Sequence, residues 1–552
     1  MSHFSFLHSY ETTGRYYDAI ERAGLVRPFT GIRLVNTMWG DDTHRFNHTA
    51  AQDGALFRRL AGEKRPLVID RLCGGAQFLA GYTYDRGLMA EYAALLGPRF
   101  LGFQIHETAC NTDNDWQRFL TFSPEYRHRP VDRAVLDHPK FPRPLAFGAL
   151  EYEWDWYAGR SFPDSLEAMW RETDQLFQRK LAETANHGVY CEGSCYGELA
   201  WTHFYRNGAG WCMFEVGPWA GPDIQFGTAA LRGAARAHGK PWGVFYAPWG
   251  PKGCTSMIPL EENSWCAPPA YFTTDPNWLP SPDHGPSSAN QRHHFFHAYL
   301  AGANCLYEEW GAECNLRSWD EAELSSYGRV TREFLDFVEA NPDCGQPHTP
   351  VALLLNAALC PPTDLKNLDA TVRRWYPARP IDRAWAAVRA AIFASTAPAP
   401  EETAGAAPTR LPDVYDIVPH DAPPTLLGQY AACLTIDEHT RAEAVIETIL
   451  AHAPFAKDGD LPMQVNYRKT DGAWILAVYN PYGVRRGDVH HTGSILDPAQ
   501  ARHMRVVPNH FTVKAIRILH AHGTSSAATL AGNTLTFNLA PGGLVVAECR
   551  QS

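Results

Sequence analysis

The sequence predicts an α/β fold, a (β/α)₈ barrel of the TIM type, followed by a small αβ domain and a C-terminal β-sandwich. The 552 residues exceed what one hydrophobic core holds, because cores stop growing near roughly 250–300 residues. From about residue 30 to about residue 340, short apolar runs alternate with longer amphipathic stretches, which is typical of a parallel sheet. Beyond residue 462 the pattern changes to period-two strands separated by glycine-containing turns.

Eight apolar runs supply the strands of the predicted barrel, and segments with helical spacing lie between them. A further apolar run at residues 4–8 precedes them and leads into a helical pattern. We interpret this run as a pre-barrel strand or a lid, although counting it as the first strand would shift every later strand by one. The eight runs are residues 31–36, 67–70, 100–105, 145–150, 188–191, 211–214, 242–246 and 303–307.

The rest of the chain divides into two smaller domains. Residues 341–350 are rich in Pro, Gly and Asp, which indicates a boundary. Strand-like and helical segments then alternate as in a flavodoxin- or Rossmann-like unit, before the period-two strands of the β-sandwich begin. We therefore predict a barrel domain at residues 1–345, an αβ domain at 346–457 and a β-sandwich at 458–552.

Charge and composition argue against several classes of function. The net charge is −11, and no run of Lys and Arg could neutralise phosphates, so we expect no nucleic-acid partner. No apolar stretch reaches the roughly 18 residues that cross a bilayer, and the start lacks a signal-peptide pattern, so we expect a cytoplasmic protein without a membrane partner. The 13 cysteines follow no framework, which favours free thiols over disulfides. Cys191 and Cys195 have a metal-ligand spacing but no second pair follows, so we expect no metal and no other cofactor.

Carboxylates follow six of the eight predicted strands. The active site of a (β/α)₈ barrel lies at the C-terminal ends of its strands, where these side chains would meet. Asp and Glu are rarely buried unless they are paired or functional, so a shared pocket explains them better than stability does. The four candidates for catalysis are Glu107, Glu151, Glu215 and Glu309.

Glycoside hydrolysis needs two carboxyl groups, one protonated and one ionised, on the two sides of the scissile bond. A ring of carboxylates suits this requirement, because repulsion raises the pKa of one group while another stays ionised. Flat aromatic faces, which 17 Trp and 23 Tyr supply in abundance, can stack against sugar rings. We predict a carbohydrate substrate and these contacts with it: Asp70, Arg71, His106, Glu153, Trp154, Trp156, Glu192, Trp249 and Trp310.

Glu215 is the strongest of the catalytic candidates. It follows four apolar residues, so its backbone should form the rigid end of a central strand. Gly217 and Pro218 then turn the chain away, which would leave the carboxylate at the floor of the pocket. A carboxylate in that position is either catalytic or a costly buried charge.

Other candidates have a structural alternative. Glu107 stands beside a histidine, and the two could instead fix the following loop. Of the adjacent Glu308 and Glu309, we expect one to face the pocket and the other to bind a helix or an arginine. The pair His293 and His294 lies in a helical pattern, and we interpret it as a surface or capping feature and not as a metal site.

The domain order resembles that of clan A glycoside hydrolases, especially the family 42 β-galactosidases. The αβ domain begins at residues 349–355 with the sequence TPVALLL, and residues 232–242, RGAARAHGKPW, are similar to uncharacterised bacterial glycosidase-like proteins. The resemblance covers most of the chain in architecture and only short motifs in sequence. It implies a barrel glycosidase whose middle domain often lies at a subunit interface, so we expect a homo-oligomer.

The resemblance also implies an Asn-Glu acid/base after strand 4 and a nucleophilic Glu after strand 7. Here strand 4 offers Glu151 without a preceding Asn, and strand 7 is followed by Ala247. If the run at residues 4–8 were strand 1, Glu107 would follow strand 4 and Glu215 strand 7, with a ninth strand left over. The resemblance therefore does not fix the catalytic pair.

The sequence thus predicts a glycoside hydrolase that cleaves an oligosaccharide or an exo-terminal glycosidic bond with a pair of Glu carboxylates. One alternative is a barrel that binds carbohydrate without cleaving it, which the missing Asn-Glu motif favours. A polysaccharide lyase or a metal-dependent hydrolase is a further alternative.

Overall fold

A computed structural model describes most of the chain, and the backbone of the described residues forms a closed parallel barrel, a small parallel αβ unit and two larger antiparallel sheets. The described residues are 4–10, 15–35, 59, 62–70, 90, 93–109, 112, 116, 119–120, 124–132, 156–183, 188–193, 200–218, 223–250, 253–257, 281–309, 311–356, 376, 378–394, 408–487, 493–523 and 525–551.

Eight parallel strands form the barrel, and the first pairs with the last to close it. The predicted (β/α)₈ fold is therefore confirmed. In chain order the strands are β1 (Ser5–Tyr10), β2 (Thr30–Val35), β3 (Leu67–Asp70), β4 (Phe100–His106), β5 (Gly188–Gly193), β6 (Trp211–Val216), β7 (Trp242–Tyr246) and β8 (Cys305–Glu308).

The strand count differs from the predicted one at two places. The run at residues 4–8 is the first barrel strand and not an element outside the barrel, because β1 pairs with both β2 and β8. The predicted strand at residues 145–150 lies outside the described residues, and β4 pairs directly with β5 through Phe103 and Gly188. Counted from β1, Glu107 follows the fourth strand and Glu215 belongs to the sixth, so no ninth strand remains to be explained.

Helices connect the barrel strands. Helix Asp223–His238 joins β6 to β7, and helix Ser288–Leu300 joins β7 to β8, as a barrel of βα units requires. Among the described residues up to 345, the other helices are Arg15–Arg22, Leu166–Glu183, Ala200–Arg206, Gly311–Cys314 and Ser326–Ala340, with 3₁₀ turns at Gly97–Arg99 and Pro124–Arg127.

The prediction that His293 and His294 lie at the surface is wrong, because helix Ser288–Leu300 is covered on nearly all sides. A ring nitrogen of His293 lies 3.1 Å from the carbonyl of Gly542 in the C-terminal domain. Burial lowers the pKa of His294 to about 4, so this ring is neutral. His293 therefore packs against the C-terminal domain, whereas His294 packs against the barrel, with its ring centroid 5.1 Å from that of Tyr246.

Side chains alternate between two apolar layers along the barrel strands, because successive residues of a strand point to opposite faces. One layer lies outside the strands and packs with the helices; it includes Phe6, Phe214, Val244 and Leu306. The other layer fills the interior of the barrel and is called the inner layer; it consists of Leu7, Val68, Val189, Cys191, Met213, Phe245, Cys305 and Tyr307. Because side chains alternate, a residue two positions further along the same strand also faces inward.

The middle of the chain forms a three-stranded parallel sheet, as predicted for an αβ unit. Strand Val351–Leu355 lies between Tyr415–Pro419 and Ala432–Thr435. The accompanying helices are Pro380–Ile392, Pro424–Leu427 and Ala442–His452.

The C-terminal part forms two antiparallel sheets that face each other, which agrees with the predicted β-sandwich. Trp474 of one sheet contacts Phe455 of the other, with ring centroids 5.5 Å apart. In spatial order the first sheet consists of Gln346–Pro347, Met463–Arg468, Ala473–Tyr479, Leu544–Gln551 and Val513–His522, and the second of Phe455–Asp458, Arg502–Pro508, Thr534–Leu539 and Ala527–Ala531.

Short elements complete the described structure: the paired strands Val484–Arg486 and Ser494–Leu496, Trp249–Gly250 and Gly253–Cys254, Leu316–Ser318 and Glu323–Leu324, and the 3₁₀ turn Pro498–Gln500. Strands Gln346–Pro347 and Phe455–Asp458 belong to the antiparallel sheets, although both begin within the range predicted for the αβ domain. The domain limits at 345 and 457 stay predictions.

A buried ion pair joins the barrel to the αβ unit. Arg232 of helix Asp223–His238 donates from Nε to Oδ1 of Asp416 at 2.6 Å, and both side chains are almost fully buried. Burial disfavours the charge on Asp416, but the charges of Arg236 and Arg232 outweigh it and hold the pKa of that carboxyl below its usual range. The close approach needs Gly233, because a Cβ there would lie 2.0 Å from the carbonyl oxygen of Ile417.

Arg232→Ala is expected to lower the free energy of unfolding by about 3–5 kcal/mol, because it removes one of the two arginines that bond the buried Asp416 and also the arginine that bonds the buried Asp413. The control is Arg206→Ala, which breaks an ion pair with Asp421 whose side chains are 39% and 53% exposed. Exposed pairs contribute about 0–1 kcal/mol. Urea unfolding of both variants checks this, and equal losses would contradict a special role for the buried pair.

Candidate active site

Two glutamates point into the barrel at the C-terminal ends of β6 and β8. Glu215 stands two residues after Met213, and Glu309 stands two residues after Tyr307, both members of the inner layer. The strand geometry continues to Glu309, whose N–H donates to the carbonyl of Tyr246 at 2.7 Å. Each glutamate is 7% exposed. The alternation of strand residues therefore places both carboxylates at the end of the barrel where active sites of this fold lie.

Glu215 lies deeper in the barrel than Glu309. Glu215 pairs in register with Phe245, which pairs with Tyr307, so these three residues form one row. Glu309 belongs to the next row toward the strand ends. Strand β7 separates the two glutamates, and its Phe245 stands beside Glu215 in the row that ends at Tyr307. Neighbouring strands are about 4.8 Å apart, so the backbones of β6 and β8 lie roughly 10 Å apart.

Tyr307 and Gln104 close the barrel beneath these carboxylates. The Tyr307 hydroxyl donates to Oε1 of Gln104 on β4, across the interior. Burial raises the pKa of Tyr307 well above its usual value, and the nearby Cys191 and Glu215 add to this. The phenol therefore keeps its proton and remains a hydrogen-bond donor.

Arg33 places a buried positive charge in the same part of the interior. Its guanidinium carbon lies 4.5 Å from the ring centroid of Phe245 and 5.5 Å from that of Tyr307. It donates to Oγ of Ser9 at 2.6 Å and to the main-chain carbonyl of Glu308 at 3.3 Å. A fixed cation in a site of low polarity stabilises negative charge nearby.

Glu107 follows β4 with a left-handed backbone, at φ 45°. A residue with a side chain costs about 1–2 kcal/mol in this conformation. The N–H of Glu107 donates to the carbonyl of Cys191 at 2.8 Å, which fixes it against the neighbouring strand. Its side chain is half-buried. Strained backbone of this kind is concentrated at functional sites.

Glu308 faces away from the pocket, as expected for one member of the adjacent pair. Its Oε2 accepts a hydrogen bond from Nδ2 of Asn315 at 2.7 Å, and its Oε1 lies 3.0 Å from the hydroxyl of Thr331. Both partners lie outside the barrel wall. Glu308 is therefore anchored to the helical layer while Glu309 points inward.

The C-terminal domain reaches the rim of the barrel through its strand pair at 484–486 and 494–496. Arg486 donates to the carbonyl oxygen of Gly285 at 3.0 Å, in the segment that leads into helix Ser288–Leu300. The hydroxyl groups of Ser494 and Ser288 lie 3.0 Å apart. This helix follows β7 and begins at the active-site end of the barrel, so the C-terminal domain fixes part of that rim.

The other predicted site residues are only partly covered by the structure. The backbone places four of them at strand ends or just beyond, without described side chains: Asp70, His106, Glu192 and Trp249. Five lie outside the described residues: Arg71, Glu151, Glu153, Trp154 and Trp310. Their roles stay predictions.

Trp156 is described, and it lies in a separate aromatic cluster with Trp116, Tyr157 and Phe162. The Arg160 guanidinium lies 3.7 Å from the centroid of its ring. The cluster shares no residue with the inner layer of the barrel. A packing role explains this environment, so we leave Trp156 out of the proposed sugar contacts.

Arg33, Gln104 and Tyr307 also belong to the site, although they are not among the residues that the sequence pattern predicted. Each lies inside an apolar strand, whereas the polar residues that indicate the active site of a barrel follow the end of a strand. A signal was present in Arg33, because a charged residue in the middle of an apolar run is rarely buried without a role. Gln104 carried a weaker signal of the same kind.

Seven cysteines have described side chains, and all seven are free thiols, six of them buried. Across the described ranges, no group of three or more His, Cys, Asp or Glu side chains is arranged to hold a metal ion. No helix there is long and apolar enough to cross a membrane.

Comparison with known proteins gives structural likenesses of low similarity. A polyextremophilic β-galactosidase from the Antarctic haloarchaeon Halorubrum lacusprofundi shares 11% identity over 99% of both chains, with a TM-score of 0.45. α-L-Fucosidase isoenzyme 2 from Paenibacillus thiaminolyticus shares 9% over 100% of both chains, with a TM-score of 0.42. Amy13B of Eubacterium rectale shares 10% over 99% of this chain and 93% of its own, with a TM-score of 0.34. No protein-family model and no curated protein matches the chain.

At these identities and TM-scores, the three structures indicate nothing about the activity of this chain. The class of the protein follows from its own strand order: a (β/α)₈ barrel with inward-facing glutamates at the C-terminal strand ends.

The left-handed backbone at Glu107 gives a prediction about stability. Glu107→Gly is expected to be more stable than Glu107→Ala by about 1 kcal/mol, because both remove the carboxylate and only Gly adopts positive φ without strain. Glu323, in a short strand without positive φ, provides the control pair, for which Ala should be the more stable. Urea unfolding of the four variants checks this; the same order at both positions would contradict strain at Glu107.

Proposed function

We propose that the chain is a glycoside hydrolase that uses Glu215 and Glu107 as its catalytic pair. The observation that carries this proposal is the position of Glu215, buried and inward-facing at the end of β6, within a barrel whose other strand ends also carry glutamates. Glycoside hydrolysis requires carboxyl groups on both sides of a bond, and a barrel can supply them from different strands. The substrate class is an oligosaccharide or the terminal residue of a glycan.

We assign Glu215 the ionised role, as nucleophile or general base. Arg33 lies in the same part of the interior, and a buried cation there favours a negative carboxylate. The strand β6 is hydrogen-bonded on both sides, so the position of this carboxylate is rigid. A rigid carboxylate is held ready for reaction without reorganisation.

We assign Glu107 the role of proton donor. It follows the fourth barrel strand, which is the place of the acid/base in the clan A enzymes that the sequence resembles. Strands β4 and β6 are both neighbours of β5, so the two carboxylates belong to one side of the barrel mouth. Clan A enzymes have an asparagine before the acid/base glutamate, whereas His106 stands there in this chain. A residue other than asparagine must therefore bind the sugar hydroxyl groups at this position.

Glu309 is the third carboxylate of this arrangement. It lies two strands from Glu215 on the side opposite β4, one row nearer the mouth. We assign it a contact with sugar hydroxyl groups, and it replaces Glu107 in the pair if the experiments below show Glu107 to be dispensable.

A non-catalytic carbohydrate-binding barrel is the second candidate function. The observation that favours it is the end of β7, where Ala247 and Pro248 stand in the place that clan A enzymes give to the nucleophile. Binding of oligosaccharides without turnover of any of them would support this function in place of hydrolysis.

Glu215→Gln is expected to lower turnover at least about a hundredfold while sugar binding persists, because the amide keeps the shape and removes the charge. Turnover of a panel of aryl glycosides and oligosaccharides, with calorimetric binding, measures both effects. The matched control is Glu172→Gln, which changes a buried glutamate bonded to Trp116 outside the inner layer. Near-normal turnover of the Glu215 variant would remove it from the pair.

Glu107→Gln is expected to slow natural oligosaccharides far more than aryl glycosides with an acidic leaving group, because the latter need no proton from the enzyme. The ratio of kcat/KM values for the two substrate types measures this. A ratio equal to that of the unaltered chain would exclude Glu107 as the proton donor, and the same comparison with Glu309→Gln would then identify its replacement.

We also propose that the αβ unit contributes to self-association. Strand Ala432–Thr435 forms an edge of its three-stranded sheet, and Leu450 is 44% exposed on a neighbouring helix. Light scattering at micromolar concentration tests this, and a strict monomer would contradict it.

A further inference from the structure

Glu308 is a carboxyl group buried behind the barrel wall, one residue before Glu309. Its side chain is 2% exposed. Nδ2 of Asn315 donates to its Oε2 at 2.7 Å, and Oγ1 of Thr331 lies 3.0 Å from its Oε1. A Cβ at position 311 would lie 2.3 Å from Oε2, so Gly311 allows the helical segment to close over the group.

The hydrogen atoms available in this network do not suffice if Glu308 is ionised. The Thr331 hydroxyl accepts from Nε2 of Gln291 at 3.0 Å and lies 2.9 Å from Oδ1 of Asn315. A hydroxyl group has one proton to donate. If Thr331 gives it to Asn315, its contact with Oε1 of Glu308 needs a proton from Glu308.

The same result follows when the amide of Asn315 is turned by 180°, which exchanges its oxygen and its nitrogen. The nitrogen then donates to Thr331, whose proton can go to Glu308. The amide oxygen now faces Oε2 of Glu308 at 2.7 Å, a contact between two acceptors unless Glu308 carries a proton. Both arrangements are complete with a protonated Glu308, and neither is complete with an ionised one.

Among the described residues packed against the Glu308 side chain, no cation favours its ionised form. Tyr16 is a titratable group that interacts with Glu308, and Glu313 and Cys314 lie near Tyr16 in turn. Arg33 reaches the main-chain carbonyl of Glu308 from inside the barrel. Burial is the main cause that raises the pKa of Glu308 to about 7, against the hydrogen bonds from Asn315 and Thr331.

We propose that Glu308 is a positioning residue that acts as a neutral carboxylic acid, donating a hydrogen bond to the Thr331–Asn315 pair and holding the end of β8 so that Glu309 faces the pocket. The main chain supports this, because Arg33 bonds the carbonyl of residue 308 and Tyr246 accepts from the N–H of Glu309 at 2.7 Å. The role of Glu309 rests on the proposed function, whereas the protonation state of Glu308 does not.

Protonation of Glu308 links the stability of the fold to pH. The folded chain binds this proton more tightly than the unfolded chain, whose glutamates have a pKa of about 4.5. The stabilising contribution is complete below about pH 4.5 and is lost as the pH rises to about 7. The corresponding loss in the folding equilibrium constant is roughly a hundredfold or more, since each pH unit counts about tenfold.

Glu308→Gln tests the proposal, because glutamine resembles the neutral acid: its oxygen can accept from Asn315 and its nitrogen can donate to Thr331. At pH 4.5 we expect urea unfolding to give the variant and the unaltered chain the same folding equilibrium constant. At pH 8 we expect the constant of the variant to be larger by roughly a hundredfold. Glu321→Gln, an exposed glutamate nearby, is the control and should follow the unaltered chain at both values. A variant less stable than the unaltered chain at pH 8 would overturn the proposal.

Infrared spectroscopy of the unaltered chain gives a second measurement that needs no variant to fold. We expect the carbonyl stretch of a protonated buried carboxyl group at pH 6, reduced at pH 8 and missing from Glu308→Gln. No such band assignable to Glu308 at pH 6 would show that the group is ionised.

Activity separates positioning from a merely structural role. In a hydrolase, ionisation of Glu308 adds a negative charge beside Glu309, so kcat/KM should fall above about pH 7 and Glu308→Gln should move this limb to higher pH. An unchanged limb would leave Glu308 neutral but without influence on Glu309. If no variant hydrolyses any glycoside, the proposed function fails, while unfolding and infrared data still decide the state of Glu308.

Discussion

The hydrogen-bonded closure of eight parallel strands is the constraint on which the candidate site depends. Each strand is paired on both sides, so its residues must alternate strictly between the interior and the helical layer. This alternation places Glu215 and Glu309 in the interior together with Arg33 and Tyr307. A change of one residue in the register of β6 would move Glu215 into the helical layer and Phe214 into the pocket.

The two adjacent glutamates at the end of β8 show how this constraint separates chemical roles. Glu308 meets Asn315 and Thr331 in the outer layer, where hydrogen bonds to a protonated carboxyl group are complete. Glu309 is directed to the opposite face, where the buried cation Arg33 lies. The same residue type, one position apart, therefore experiences two environments, and the environment decides which form of the carboxyl group is favoured.

The smaller domains act on the barrel through buried polar contacts. Arg232 ties the αβ unit to helix Asp223–His238 through Asp416. Glu333, in helix Ser326–Ala340, bonds both Arg292 of the barrel and His520 of the C-terminal sheet, and despite its burial the charge of Arg292 keeps the pKa of this carboxyl well below its usual range. These helices begin at the active-site end, so the outer domains restrain the rim as well as the overall stability.

The sequence by itself determined the barrel, the αβ unit and the sandwich, because hydrophobic periodicity records whether a residue faces a core. It also singled out Glu215, since a carboxylate after four apolar residues has few explanations. It misjudged the opening run, because a short apolar segment with polar neighbours does not reveal whether partners exist on both of its edges. Only the tertiary structure decided the strand count, the split between Glu308 and Glu309 and the presence of Arg33 beneath the pocket, because each depends on contacts between residues up to about 300 positions apart, which no local pattern encodes.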